Sequence, residues 1–190
     1  RVLFRSLRMH AWFEDLMKHH PELECMPLTH FIFPGSHDAS AYETDMNMLR
    51  TEFSTMRRMF PLIFDTAADA LVHTQTIPVY EQLCEGARWI DVRIGIRGDI
   101  VHTQHGLFTA YFATVVQDIQ RFATESPVEP IFLFIKLDES INTQQDVMSM
   151  RWHSMFMVIM TPLVRTHCLG GTLYDQWPSF RQIRRLGRSV

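Results

Sequence analysis

The run Ile131-Phe-Leu-Phe-Ile135 carries five consecutive apolar residues between the Ser126-Pro127 break and Lys136. A strand without a polar face needs cover on both sides, which favours a sheet covered by helices over one that meets solvent. The neighbouring segments offer that cover. Phe108, Phe112, Val115, Val116, Ile119, Phe122 and Ala123 recur at offsets of three and four, so residues 109–124 are predicted to form an amphipathic helix. Residues 145–167 are predicted as a second long helix, bent near Pro162.

Upstream, Arg88-Trp-Ile-Asp-Val-Arg-Ile94 alternates and is rich in strand formers, so it reads as a strand carrying two charges on one face. A helix beginning at Ile77-Pro78-Val79 and ending at Gly86 precedes it. Residues 10–20 read as a short helix stopped before Pro21, residues 28–33 as a strand closed by Pro34-Gly35, and residues 43–60 as a helix. Ile100-Val101 is a short extended piece, residues 177–186 a final turn, and residues 187–190 the start of another strand. Strands and helices alternate along the chain, which predicts a parallel sheet with covering helices.

Composition removes several function classes. The net charge of −3 provides no global cationic field, so nucleic acid is not an expected partner. Cys25, Cys84 and Cys168 are odd in number and contain no C-x-x-C pair, which suggests neither a disulfide framework nor a zinc cluster and fits a reducing compartment. No apolar run reaches the roughly 18 residues of a membrane-spanning helix. The expected location is cytoplasmic and peripheral to membranes; the oligomeric state is left open.

Polar residues gather after the predicted strands: His37 and Asp38 after the first, His105 after the second, Lys136 after the third. In parallel α/β folds that edge is where active sites assemble. Two histidines arriving there from different loops can act as base and acid on a phosphodiester. Arg93 can stabilise phosphoryl oxygens with its planar fork, and Asp38 and Asp91 can orient the other groups. Bland readings stand beside these. His37 can cap a turn, Asp91 and Arg93 can form a structural ion pair, and Lys136 can be a solvated strand end. Arg57-Arg-Met-Phe-Pro-Leu-Ile-Phe64 can touch an anionic membrane or pack under a loop, and Met46, Met48, Met56 and Met59 read as core residues.

Three segments occur in order: Phe33-Pro-Gly-Ser-His-Asp38, Tyr80-Glu-Gln-Leu-Cys-Glu-Gly-Ala-Arg-Trp-Ile-Asp-Val-Arg-Ile94 and His105-Gly-Leu-Phe-Thr109. Behind them come Pro178-Ser-Phe-Arg-Gln-Ile183 and Gly187-Arg-Ser-Val190. The set resembles the X domain of phosphatidylinositol-specific phospholipase C, in particular the small eukaryotic X domain-containing proteins, which are similar to the bacterial enzymes. The resemblance covers most of residues 12–190 and sets residues 1–11 apart as an N-terminal extension. It implies an α/β fold, a TIM-type barrel of which this chain holds the N-terminal part, since a whole barrel usually takes ~250 residues.

The resemblance further implies cleavage of membrane phosphatidylinositol to diacylglycerol and an inositol phosphate, first in the 1,2-cyclic form. By position, His37 is implied as the general base for the inositol 2-hydroxyl and His105 as the general acid for the diacylglycerol oxygen. Asp38 resembles the residue that follows the first histidine in bacterial relatives. Arg93 stands where calcium-dependent relatives bind their metal, so the implied chemistry needs no cofactor and no calcium. Asp91 and Lys136 are implied as substrate contacts, and an acidic partner for His37 is expected beyond Val190. His102 stays an alternative to His105. Two other functions remain in play: a phosphodiesterase acting on another phospholipid or a glycerophosphodiester, and an inactive phosphoinositide-binding protein.

Overall fold

The computed structural model describes residues 9–43, 73–97, 100–105, 107–137, 150–169 and 177–190. The predicted helix over 43–60 with its four methionines, the Arg57–Phe64 patch and the first residues of the helix predicted from 145 fall outside that set.

At the centre is strand β2, Trp89–Arg97. Ile90, Val92, Ile94 and Ile96 are buried, while Trp89, Asp91 and Arg93 share the opposite face, as a period of two requires. Two parallel neighbours flank it: β1, Gly35–Ser36, beside Trp89 and Ile90, and β5, Phe132–Leu137, beside Trp89 through Ile94. Strand β3, Ile100–His105, pairs antiparallel with Ile94–Arg97 of β2, and β4, Leu107–Tyr111, pairs antiparallel with β3.

The sheet is therefore mixed, which corrects the parallel prediction. Only residues 98–99 join β2 to β3, and a parallel neighbour needs a crossover of a dozen residues or more. The predicted helix from 109 begins instead at Phe112, because 107–111 completes this meander.

Helix α3, Phe112–Glu125, buries Phe112, Val115, Val116, Ile119, Phe122 and Ala123. At 14 residues it is near the limit of independent stability, so this face against the sheet holds it. Helix α2, Val79–Cys84, starts after Pro78. It is terminated at Gly86, whose φ of 104° favours glycine and where a Cβ would lie 2.8 Å from Met9 Cε. Helix α4, Met150–Thr166, contains Pro162 and adds Met160 and Leu163 to the core.

A second, aromatic cluster is built from helix α1, Trp12–His19, and helix α5, Phe180–Leu186. Phe13 and Met17, one helical turn apart, meet Leu28, Phe180 and Ile183 there. Residues 28–33, predicted as a strand, form a short 3-10 turn over Leu28–His30 and then an irregular stretch. Their apolar character serves ring packing, with Phe31 and Phe33 each 5.1 Å from Phe13. Helix α5 has a capping box, Ser179 with Gln182, that the sequence reading missed. Residues 187–190 form no strand; Ser189 O accepts from Ile131 N at 2.6 Å, and Val190 N donates to His167 O at 3.0 Å.

Strand β5 also departs from expectation. Its Leu133, Ile135 and Leu137 pack on the main core, but Phe134 is 49% exposed and Lys136 is exposed. On the face it shares with Trp89, Asp91 and Arg93, Phe132 packs against Phe33 and Trp177, and the exposure begins at Phe134. No helix among them is long and apolar enough to cross a membrane.

Gly95, buried on the same strand as Asp91, marks a close approach. A Cβ there would overlap Gln104 Oε1 and lie 2.9 Å from Phe108 Cε1. Gly95→Ala is therefore expected to destabilise the fold by about 1–3 kcal/mol through overpacking. A denaturant midpoint equal to wild type would show that β3 and β4 yield freely.

Candidate active site

The site lies at a seam in the sheet. Ile94 pairs with Thr103 of β3 and with Leu137 of β5, so these strands flank opposite edges of β2. Strand β1 also lies opposite β5, since both pair with Trp89 and Ile90. Hence β1 and β3 occupy one edge of β2 in succession, and residues 37–39 cross the gap between them. Ala39 N donates to Asp91 O at 2.8 Å there.

Within the gap Asp38 adopts φ 46°, a left-handed conformation that aspartate tolerates better than most residues. Its carboxylate is 1% exposed and central to the site. Arg93 Nε lies 2.7 Å from Oδ1, while His37 Nε2 and His105 Nε2 lie 3.1 and 3.3 Å from Oδ2. The two imidazoles therefore face one oxygen atom from different elements.

Asp91, read from sequence both as an orienting group and as a substrate contact, engages His37: its Oδ2 is 2.9 Å from Nδ1. The acidic partner expected beyond Val190 thus has a counterpart on β2. Arg93 Nη2 stands 3.9 Å from the same oxygen, so one guanidinium lies between the two carboxylates and balances one of their two charges. Lys136 is opposite Arg93 in the β2–β5 register and adds an exposed ammonium to that face.

His102 lies elsewhere. It is 1% exposed, opposite Gly95, with its ring 5.2 Å from Phe108 and 5.0 Å from Tyr111.

Beside the polar set is a cleft of about 480 Å³ lined by Gly35, Ser36, His37, Trp89, Asp91 and Phe134. The sequence reading omitted Trp89 and Phe134 from the site. Each precedes a chosen residue by two, Asp91 and Lys136, and strand periodicity alone puts them on the same face.

Donor atoms of His37, Asp38 and Asp91 lie within 4.8 Å of one another, a spacing that merits testing against a metal. Calcium takes six to eight oxygen ligands. This group offers two carboxylates and one imidazole, and Arg93 already sits against both carboxylates. A second cation in that place would meet the repulsion of the guanidinium beside it.

The family model for the phosphatidylinositol-specific phospholipase C X domain matches residues 66–184. The chain belongs to that family. Similar proteins include PI-PLC X domain-containing protein 3 of Homo sapiens, 32% identical over 138 residues, covering 67% of this chain and 42% of the relative. A bacterial one is the 1-phosphatidylinositol phosphodiesterase of Listeria monocytogenes, 28% identical over 115 residues, covering 60% and 30%. The X domain chain thus spans less than half the length of these relatives.

Among solved structures, phosphatidylinositol-specific phospholipase C from Listeria monocytogenes superposes with a TM-score of 0.59 at 21% identity, over 96% of this chain and 55% of that one. The Staphylococcus aureus enzyme gives 0.60 at 17% identity, over 97% and 53%. The fold is thus mixed α/β with a curled, half-barrel sheet similar to the bacterial proteins, and a complete barrel is not formed by the described residues.

Proposed function

We propose that this X domain carries the acid–base machinery of a phosphodiesterase that cleaves phosphatidylinositol at a membrane surface, releasing diacylglycerol and an inositol phosphate, first in the cyclic form. The observation that supports this most is the meeting of His37 and His105 at Asp38 Oδ2, with Arg93 on the other oxygen of the same carboxylate.

With Nδ1 oriented by Asp91, His37 Nε2 points toward Asp38. An inositol 2-hydroxyl entering there can lose its proton to Nε2 as its oxygen attacks phosphorus. The bond from phosphorus to the diacylglycerol oxygen breaks, and protonated His105 gives that oxygen its proton. Arg93 faces the charge that builds on the phosphoryl oxygens, and Lys136 adds to the positive field. The exposed rings of Trp89 and Phe134 give the headgroup ring an apolar wall to lie against.

This reading includes metal independence. Turnover of phosphatidylinositol vesicles by the wild-type protein is expected to be unchanged by a chelator, whereas Arg93→Asp without calcium is expected to lose about 10²–10³-fold in kcat. Loss of wild-type turnover on chelation would overturn metal independence. Vesicle binding without turnover would favour the inactive headgroup binder.

A further inference from the structure

The turn that carries His37 and Asp38 is held from outside by one distant segment, residues 74–82. Gln75 Nε2 donates to His37 O at 2.9 Å, and Thr74 Oγ1 donates to Asp38 O at 3.1 Å. The backbone nitrogens of Thr74 and Gln75 both donate to Ala41 O. Gln82 completes the set: its Nε2 donates to Ala39 O and to Ile77 O, each at 2.7 Å, and its Oε1 accepts from Ser36 Oγ.

Gln82 is the unusual member. It is 5% exposed and sits on α2 beside Leu83, in a position where an amide is costly unless fully bonded. Both of its amide protons and its oxygen are used. Its partners on the turn are residues 36 and 39, which bracket the two site residues. The amide therefore ties together the two ends of a turn whose middle residue has a left-handed backbone.

We infer that Gln82, assisted by Thr74 and Gln75, is a positioning residue: it holds the His37–Asp38 turn in the conformation that brings both side chains to Arg93 and His105. As a claim about catalysis this rests on the proposed function; as a claim about placement it stands on the hydrogen bonds.

The test compares wild type with Gln82→Met, which keeps length and removes every side-chain hydrogen bond of the residue. At fixed pH, NMR of the imidazole protons is expected to show the His37 resonances displaced while those of His19 and His30, remote from the turn, stay in place. In vesicle cleavage, kcat should fall about 10- to 100-fold with KM nearly unchanged, as misplacement of a reacting group predicts. In a His37→Ala background the same substitution should cost no further activity, whereas a general structural role costs the same in either background. Should Gln82→Met not fold, Gln75→Leu, nearer the surface, is read the same way. Unmoved His37 resonances in the folded variant overturn the proposal. A wild-type protein without turnover sinks the proposed function, and the resonances alone then decide the role of Gln82.

Discussion

Exchanging either His37 or His105 for alanine is expected to lower kcat for phosphatidylinositol cleavage by about 10²–10⁴-fold, the range that general acid–base catalysis supplies. The two act in one displacement, so the double variant should lose far less than the product of the single losses. Folding should be nearly untouched by the first change, because the His37 side chain is 69% exposed. Vesicle binding should persist in both variants, since neither removes Arg93 or Lys136. Near-normal turnover in His37→Ala would eliminate it as the base and return the turn to a structural role.

The second large effect concerns the fold. Arg88 is fully buried and its guanidinium donates to Glu129 through Nε at 2.8 Å, with Nη2 at 2.7 Å from the same carboxylate oxygen. It also donates to the carbonyls of Leu83, Ala87, Met9 and His10, while Glu129 accepts from Glu14 N. One buried cation thus joins β2, α2 and the residues before α1. Burial pulls the Arg88 guanidinium down and pushes the Glu129 carboxyl up, and each charge draws its partner back.

Such a pair adds little net stability as a whole, but losing one member strands the other. Glu129→Gln or Arg88→Met is expected to cost about 3–5 kcal/mol, and to lower Tm by on the order of 10 °C for a chain of this size. Arg88→Met combined with Glu129→Leu should cost less than the two single changes added together. Single variants within about 1 kcal/mol of wild type would show that water reaches the pair and compensates it.

The legible parts of the fold are those where one periodicity coincides with one buried face. Strand β2 and helix α3 meet that condition, and both emerge near their predicted bounds. Strand β4 does not, because Phe108 and Phe112 are four apart and imitate a helical turn although the backbone between them is extended. Phe31 and Phe33 misled for another reason: an apolar run closed by Pro34-Gly35 reads as a strand, and here its rings pack against Phe13 and not within a sheet.

The candidate site was legible to the extent that its residues sit on strands or just past their ends. Asp91 and Arg93 share a face by parity, His37 directly follows β1, and His105 is the last residue of β3 and not a residue beyond it. Which group each side chain touches was not legible. That Asp91 serves His37 depends on the β1–β2 register, a long-range property. Gln82 was invisible for the same reason, since nothing in a six-residue helix tells which loop its amide will meet.

The register between β2 and β5 joins this chemistry to the folding of the chain. Trp89 through Ile94 pair with Phe132 through Leu137 one for one. A one-residue deletion inside this stretch would reverse parity from that point, driving Asp91 or Arg93 into the helix-covered core and turning isoleucines and valine toward the cleft. Along these strands the chain has no frame in which it folds well yet misplaces its charges. Heritable change at this site should therefore come through substitution, with insertions and deletions confined to the connections.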